Sequence, residues 1–348
     1  LDFIKHSLRD MDYDGVSSFE ESAEEPLIDQ SHLDYLEGVA RQKSLFNNFL
    51  IMTSAFAINH GCVVSCLAYS SEELGTQLGD YGNGTLCVAY SVSAFALAKP
   101  IVEMVGPKYG LVFGVLGFAI YVLGFSLAVA VPSGAWPVLL IASIIGGIAG
   151  GLLWASQGKY YAANAILYAD AVELPVEEIN SKLAGIFAGV YLGMEMVLAL
   201  LASAVYYSYP DNANAIVFSV YSVLALLSTF GMLAISDLDE LGTWEFDTDE
   251  LVYNMGATAR LLREDVRLLL MLPYQIAYGF VGSFVPFYIF GTVISDSNNL
   301  GDEYIGILSS VVVCAAAAVA YPTARVAMKQ GKHPVMVFGG ELFVFVVI

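Results

Sequence analysis

Long apolar runs recur along this chain, and every basic side chain lies on one side of them. Runs of about 20 apolar residues have the length of a helix that crosses a bilayer. They predict eight complete spans, at residues 45–68, 84–102, 110–131, 136–158, 182–207, 214–235, 266–293 and 304–325, and a ninth beginning near residue 334. All 14 Lys and Arg residues fall in or beside the amino-terminal segment and the second, fourth, sixth and eighth connections. Because short basic connections stay in the cytoplasm, we expect a cytoplasmic amino terminus and cytoplasmic even connections.

The composition excludes most other classes of protein. Of 348 residues, 57% are hydrophobic and 14% are charged, whereas about a quarter of a soluble chain is usually charged. The net charge of -20 lies mostly in residues 1–44 and 236–265, which argues against a nucleic-acid partner. The sequence has no nucleophile–base pairing, phosphate-binding glycine loop or metal-ligand cluster. We therefore expect neither an enzyme nor a protein with a cofactor, and a lipid bilayer as its surroundings.

An internal repeat relates the second and eighth spans. LGDYGNGTLCVAYSVSAFALAKP (78–100) aligns with LGDEYIGILSSVVVCAAAAVAYP (300–322), and both copies share an opening Leu-Gly-Asp, an inner Gly and a closing Pro. The copies lie six spans apart in the same orientation, as do the parallel halves of major facilitator transporters. The repeat predicts an all-α polytopic membrane protein with a major facilitator fold, in which the second six-helix half is incomplete.

These spans divide the chain into four expected segments. Residues 1–44 are acidic and poor in aromatic residues, which predicts a disordered cytoplasmic tail. Residues 45–235 form the first six-helix half, 236–265 a charged cytoplasmic linker, and 266–348 part of the second half. The chain stops at Ile348 within an apolar run too short to cross a bilayer, so we expect a fragment of a twelve-helix protein. The compartment, plasma membrane or endolysosome, is left open.

The connection after the second span is similar to the signature loop of major facilitator proteins. Glu103 occupies the acidic position, Gly106 the glycine and Lys108 the following base. Three positions of the second copy keep the pattern: Lys329, Gly331 and Lys332. A carboxylate at a helix end can pair with a neighbouring helix in one conformation and release it in another. These residues are therefore gating candidates, and solvated cytoplasmic charges are the alternative.

A closer resemblance lies in the fourth span, GGIAGGLLWASQGKYY (146–161), and the loop before it. Gly151, Trp154, Gln157, Gly158 and Tyr160 resemble the glycine, tryptophan and Gln-Gly-x-Tyr series of the uncoordinated-93-like family, an ion-channel-regulator branch of the major facilitator superfamily. The resemblance covers residues 45–340. It implies a twelve-helix membrane protein that acts on an ion channel, or on the trafficking of another membrane protein such as a receptor.

Two glycine patterns predict close contacts between helices. One is GGIAGG at residues 146–151 in the fourth span, and the other is the series Gly185, Gly189 and Gly193 in the fifth.

Glu195 lies near the middle of the fifth span, about 200° around the helix from Gly193. A charge at the bilayer centre costs roughly 2.5 to 3.5 kcal/mol. We therefore expect Glu195 to point away from the glycine series, as either a proton or cation site or a protonated side chain hydrogen-bonded inside the bundle.

Polar and aromatic side chains lie on the first, fourth and seventh spans, which line the central cavity of the facilitator fold. They are Asn59, His60, Trp154, Gln157, Tyr274, Gln275 and Tyr278. Such groups can bind a small polar or cationic solute, and histidine changes charge near physiological pH. Hydrogen bonding between helices is the alternative. Two functions therefore stay open: a regulator of another membrane protein, or a secondary transporter that is coupled to protons.

Overall fold

The computed structural model describes residues 30–74, 76–238, 256–294, 300–301, 303–330 and 337–339. These residues are almost entirely helical and contain no β-strand. The helices are α1 (Gln30–Glu73), α2 (Thr76–Val92), α3 (Ala98–Ala130), α4 (Ala135–Ala171), α5 (Val176–Ser208), α6 (Ala213–Leu233), α7 (Ala257–Glu264), α8 (Val266–Ser283) and α9 (Glu303–Gln330). Short π-helical segments follow α2 and α8, at Ser93–Leu97 and Phe284–Ile294. The all-α prediction is confirmed.

Within the described residues, six helical stretches are long and apolar enough to cross a membrane. One of them, Gln77–Ala130, contains both the second and the third predicted spans. The two are separated at Gly106, whose φ of 79° and ψ of 159° are not helical. Glycine adopts a positive φ without a Cβ clash, so the chain can turn there. The eighth predicted span coincides with a shorter apolar helix, Glu303–Val319, and the ninth lies outside the described residues except for 337–339.

Helix α1 begins well before the first predicted span. Residues 30–44, for which the acidic composition predicts disorder, belong to this helix. Residues 1–29 lie outside the described part of the chain.

Helices α2, α3 and α4 approach one another at glycines. A Cβ added to Gly147 of α4 would lie 2.5 Å from the backbone oxygen of Leu86, and one added to Gly151 would lie 2.6 Å from the backbone nitrogen of Ala94. On α3, a Cβ at Gly114 would lie 2.8 Å from the Cα of Leu153. The close packing predicted from GGIAGG is confirmed, because only glycine fits at these positions.

The glycine series of α5 behaves differently. A Cβ at Gly185, Gly189 or Gly193 would meet no heavy atom of the described residues within 4 Å, so the predicted close contact is wrong for this part of the chain. Helix α5 instead packs against α9 through a glycine on α9, Gly306, where a Cβ would overlap the backbone oxygen of Ala199. The backbone N–H of Ile307 donates to the Ser203 hydroxyl at the same contact, at 3.2 Å.

Candidate functional site

Three polar side chains meet between α1 and α5. The Nδ1 atom of His60 lies 3.1 Å from Oε1 of Glu195 and 2.9 Å from the hydroxyl of Tyr191. The side chains of His60 and Glu195 are only 15% and 14% exposed. Glu195 therefore has a polar partner inside the bundle, as its position near the middle of a span requires.

Glu195 and Tyr191 both lie on α5, and both contact the Nδ1 atom of His60. When Nδ1 carries a proton, it donates to the Glu195 carboxylate; when it carries none, it accepts from the Tyr191 hydroxyl. The protonation and tautomer of His60 therefore decide which residue of α5 it binds.

Aromatic rings surround the imidazole of His60. Phe56 stacks on it with ring centroids 5.8 Å apart and an interplanar angle of 7°. Trp154 of α4 meets it edge-on at 5.5 Å and 82°, and the Tyr191 ring lies 5.2 Å away. The rings fix the imidazole in place.

A glycine next to His60 brings α1 and α5 together at this point. A Cβ on Gly61 would lie 2.7 Å from Cδ1 of Leu198 and 3.6 Å from the Cα of Glu195. A Cβ here would therefore require the Leu198 side chain to move, and the α5 backbone lies at van der Waals distance beyond it. Tyr191, which no sequence pattern singles out, precedes Glu195 by four residues, and this spacing places both side chains on one face of α5.

A cavity of about 50 Å³ adjoins Glu195 on the side of α9. Its polar lining consists of Glu195, Ser65, Tyr69 and Ser309, and Phe290 and Ile305 are among its apolar walls. A water molecule needs roughly 10–15 Å³ of such volume. The space accommodates a few water molecules or a small ion, but no organic solute.

Asn59 does not join this site. Its buried amide nitrogen contacts the backbone oxygens of Val115 at 3.1 Å and Ala225 at 3.3 Å, and the Ser228 hydroxyl at 3.1 Å. These contacts connect α1 to α3 and α6. For Asn59, the structure favours interhelical hydrogen bonding over a cavity-lining role.

Within the described residues, the remaining cavity candidates make no hydrogen bond or ring contact with His60, although Tyr278 interacts electrostatically with Tyr191. Gln157 is half-buried on α4, and no hydrogen bond among the described residues joins it to His60. Tyr274, Gln275 and Tyr278 lie on α8, which has no buried residue in its described part; Tyr278 is 59% exposed. The structure therefore brings together His60, Trp154 and Glu195 from the predicted set.

The gating candidates surround the turn between the second and third spans. Glu103 lies 3.7 Å from Lys99, one helical turn earlier, with both side chains partly exposed. The Lys108 ammonium lies 5.8 Å from the centre of the Tyr109 ring, and the non-helical Gly106 separates the two groups. In the second copy, Lys329 is exposed in the last turn of α9; Gly331 and Lys332 lie outside the described residues.

Comparison with known proteins gives one family. A family model described as "Ion channel regulatory protein UNC-93" matches residues 70–348. The matched region begins within α1 and includes Trp154, Tyr191 and Glu195, whereas His60 precedes it. No curated protein matches the chain.

Proposed function

Because the chain belongs to the UNC-93 ion channel regulatory protein family, we propose that it regulates an ion channel by contacting the channel protein within the membrane. The observation that carries this proposal is the family match, which extends over residues 70–348. This is a family of regulatory membrane proteins, and the six long apolar helices suit a partner in the same bilayer.

The buried site beside Glu195 is too small for an organic solute. Pockets for organic ligands usually measure about 300–1,000 Å³, whereas the cavity beside Glu195 measures about 50 Å³. Meanwhile, α8 exposes large apolar side chains, with Leu270 76% and Ile276 69% exposed. Such a surface suits lipid or the transmembrane helix of a partner.

Whole-cell recording tests the proposal. Depleting the chain from cells that express it should change the amplitude or voltage dependence of a membrane current, and re-expression should restore the current. Surface labelling of the affected channel would separate a change in gating from a change in delivery to the membrane. Unchanged currents after verified depletion would count against channel regulation.

We also propose an orientation with the amino terminus in the cytoplasm. The 14 Lys and Arg residues, all in or beside the amino-terminal segment and the even connections, support it. A protease-sensitive tag at the amino terminus should be cleaved only after permeabilisation of intact cells, and a tag between α5 and α6 should be cleaved without it. The reverse pattern would overturn the orientation.

The His60–Glu195 pair favours a second candidate function, a proton-coupled secondary transporter. Purified protein in vesicles that contain a pH-sensitive dye would then move protons when a transported solute is added, and Glu195→Gln would abolish this movement. Solute-driven proton movement that survives Glu195→Gln would exclude the proposed role of this carboxylate. An ion channel regulator predicts no solute-driven proton movement by the purified chain.

A further inference from the structure

A groove runs along α2 where that helix meets α4. It measures about 400 Å³, and its lining includes Asp80, Tyr81, Thr85 and Val88 of α2 and Ile144 of α4. We propose that this groove binds one phospholipid with a choline headgroup, whose ammonium lies beside Asp80 and whose acyl chain lies along Val88 and Ile144. The proposal goes beyond channel regulation and does not depend on it.

The polar end of the groove lies at a membrane boundary. The apolar stretches that contain α2 and α4 begin at Gln77 and Pro132, and Asp80 and Tyr81 follow Gln77 within four residues. Trp136 lies four residues after Pro132, and its ring centroid is 5.9 Å from that of Tyr81. Tyr and Trp are enriched where headgroups meet hydrocarbon. The headgroup of a bound lipid therefore belongs at this end of the groove.

The charge at this end selects the headgroup. Asp80 is exposed and brings a carboxylate to the groove. All 14 Lys and Arg residues lie in or beside the amino-terminal segment and the even connections, at the opposite ends of the predicted spans. An anionic phospholipid would thus meet a carboxylate and no Lys or Arg. A quaternary ammonium instead pairs with Asp80, and the rings of Tyr81 and Trp136 favour it further, because aromatic faces attract such cations.

The deeper end of the groove is apolar and open. Val88 is 66% and Ile144 is 46% exposed, and a Cβ on Gly84 would meet no heavy atom of the described residues within 4 Å. Asp80 and Ala89, both in the lining, are separated by about 14 Å along the helix. This distance is close to half of the roughly 30 Å hydrocarbon core of a bilayer. The groove therefore has the depth of one leaflet and leaves space for an acyl chain against the α2 backbone.

Thr85 lies between the two ends of the groove. Its hydroxyl is one helical turn deeper than Tyr81, at the level where the phosphate and ester oxygens follow the ammonium of a phospholipid. A hydroxyl can donate a hydrogen bond to such oxygens. The order of carboxylate, hydroxyl and apolar side chains along α2 thus matches the order of ammonium, oxygens and acyl chain in the lipid. The volume of about 400 Å³ also falls within the roughly 300–1,000 Å³ of pockets that hold organic ligands.

Fluorescence quenching by brominated lipids tests the proposal, because Trp136 lies beside the groove. Replacing Trp154 and Trp244 by Phe leaves Trp136 as the single tryptophan of the full chain. The protein is placed in nanodiscs of mixed phosphatidylcholine and phosphatidylglycerol, in which one lipid or the other carries bromine on its acyl chains. We expect brominated phosphatidylcholine to quench Trp136 several-fold more effectively than brominated phosphatidylglycerol at equal mole fraction. Equal quenching would reduce the groove to ordinary bilayer contact and overturn the proposal, and so would quenching by neither lipid, which would show that protein covers the groove.

Variants assign the lipid preference to the groove. Asp80→Asn should remove most of the preference for phosphatidylcholine, whereas Asp211→Asn, an exposed aspartate in the connection between α5 and α6 at the same end of the bundle, should leave it unchanged. Gly84→Leu should fill the groove and lower quenching by phosphatidylcholine, which provides an independent check if Asp80→Asn does not fold. Its control is Gly185→Leu, at an equally open position of α5. An unchanged preference in either folded groove variant would refute the site.

Discussion

Two membrane helices of this protein are equally hydrophobic but differ in burial. The best membrane window of Glu37–Ser70 has a mean hydropathy of 1.6 and is 61% buried, whereas that of Val266–Ile294 also has a mean hydropathy of 1.6 and is 0% buried. The first belongs to α1, which carries His60 and Asn59, and the second to α8 and the π-helical segment after it. Hydropathy therefore identifies a residue run that belongs in a membrane, but it does not show which runs pack against each other.

The packed region differs from α8 in its specific contacts. Glycines of α4 lie directly against the backbone of α2, and Asn59 connects three helices. Helix α8 also contains glycines, Gly279 and Gly282, but a Cβ at either would meet no heavy atom of the described residues within 4 Å. The same residue type thus makes a contact in one region and none in the other. Four experiments test this contrast.

Gly147→Leu should have the largest effect. Even its Cβ would lie 2.5 Å from the Leu86 backbone oxygen, and overpacking typically costs about 1–3 kcal/mol and occasionally more. We expect a loss of about 3 kcal/mol in the free energy of unfolding, measured by titration with a denaturing detergent. Gly158→Leu on the same helix is the control, because a Cβ there has open space. Equal losses in both variants would contradict the packing between α2 and α4.

Asn59→Ala should have the next largest effect. It removes contacts to two backbone oxygens and one hydroxyl, and an interhelical hydrogen bond in a membrane contributes about 0.6 kcal/mol on average. A loss of roughly 1–2 kcal/mol follows from two or three such bonds. Gln275→Ala on the exposed face of α8 should change the unfolding free energy little; a similar loss there would show that α8 is also held by polar contacts.

A double-mutant cycle should detect a smaller coupling between α1 and α5. His60→Phe and Glu195→Leu each remove one side of the 3.1 Å contact. We expect a coupling free energy of roughly 0.6–1.7 kcal/mol, the range for interhelical hydrogen bonds in a membrane. Additive effects of the two substitutions would mean that the pair does not stabilise the bundle.

Ile276→Ala should have the smallest effect. This side chain is 69% exposed on α8, and substitutions of exposed residues usually change stability by less than about 0.5 kcal/mol. A loss near the roughly 2–5 kcal/mol typical of a buried isoleucine or leucine would show that α8 is packed in the working protein and would remove the contrast with α1.

The sequence predicts the positions of the helices well, because a window of about 20 residues averages out local detail. Contacts depend instead on rotation about each helix axis and on neighbours distant in sequence. The sequence therefore identifies His60, Trp154 and Glu195 as separate candidates. Only the structure shows that Trp154 and Glu195 both contact His60, and that Tyr191 contacts it too. For the same reason, GGIAGG at 146–151 makes the predicted contacts, while the glycine series at 185, 189 and 193 makes none among the described residues.

Adding the chain back to isolated membranes shows whether it acts on an ion channel directly. Membranes from depleted cells would be fused to a planar bilayer, channel openings recorded, and vesicles carrying the purified chain then fused to the same bilayer. We predict that the open probability or voltage dependence of the channel changes, and that the purified chain alone produces no openings. Unaltered channel activity after verified incorporation of the chain would contradict direct regulation.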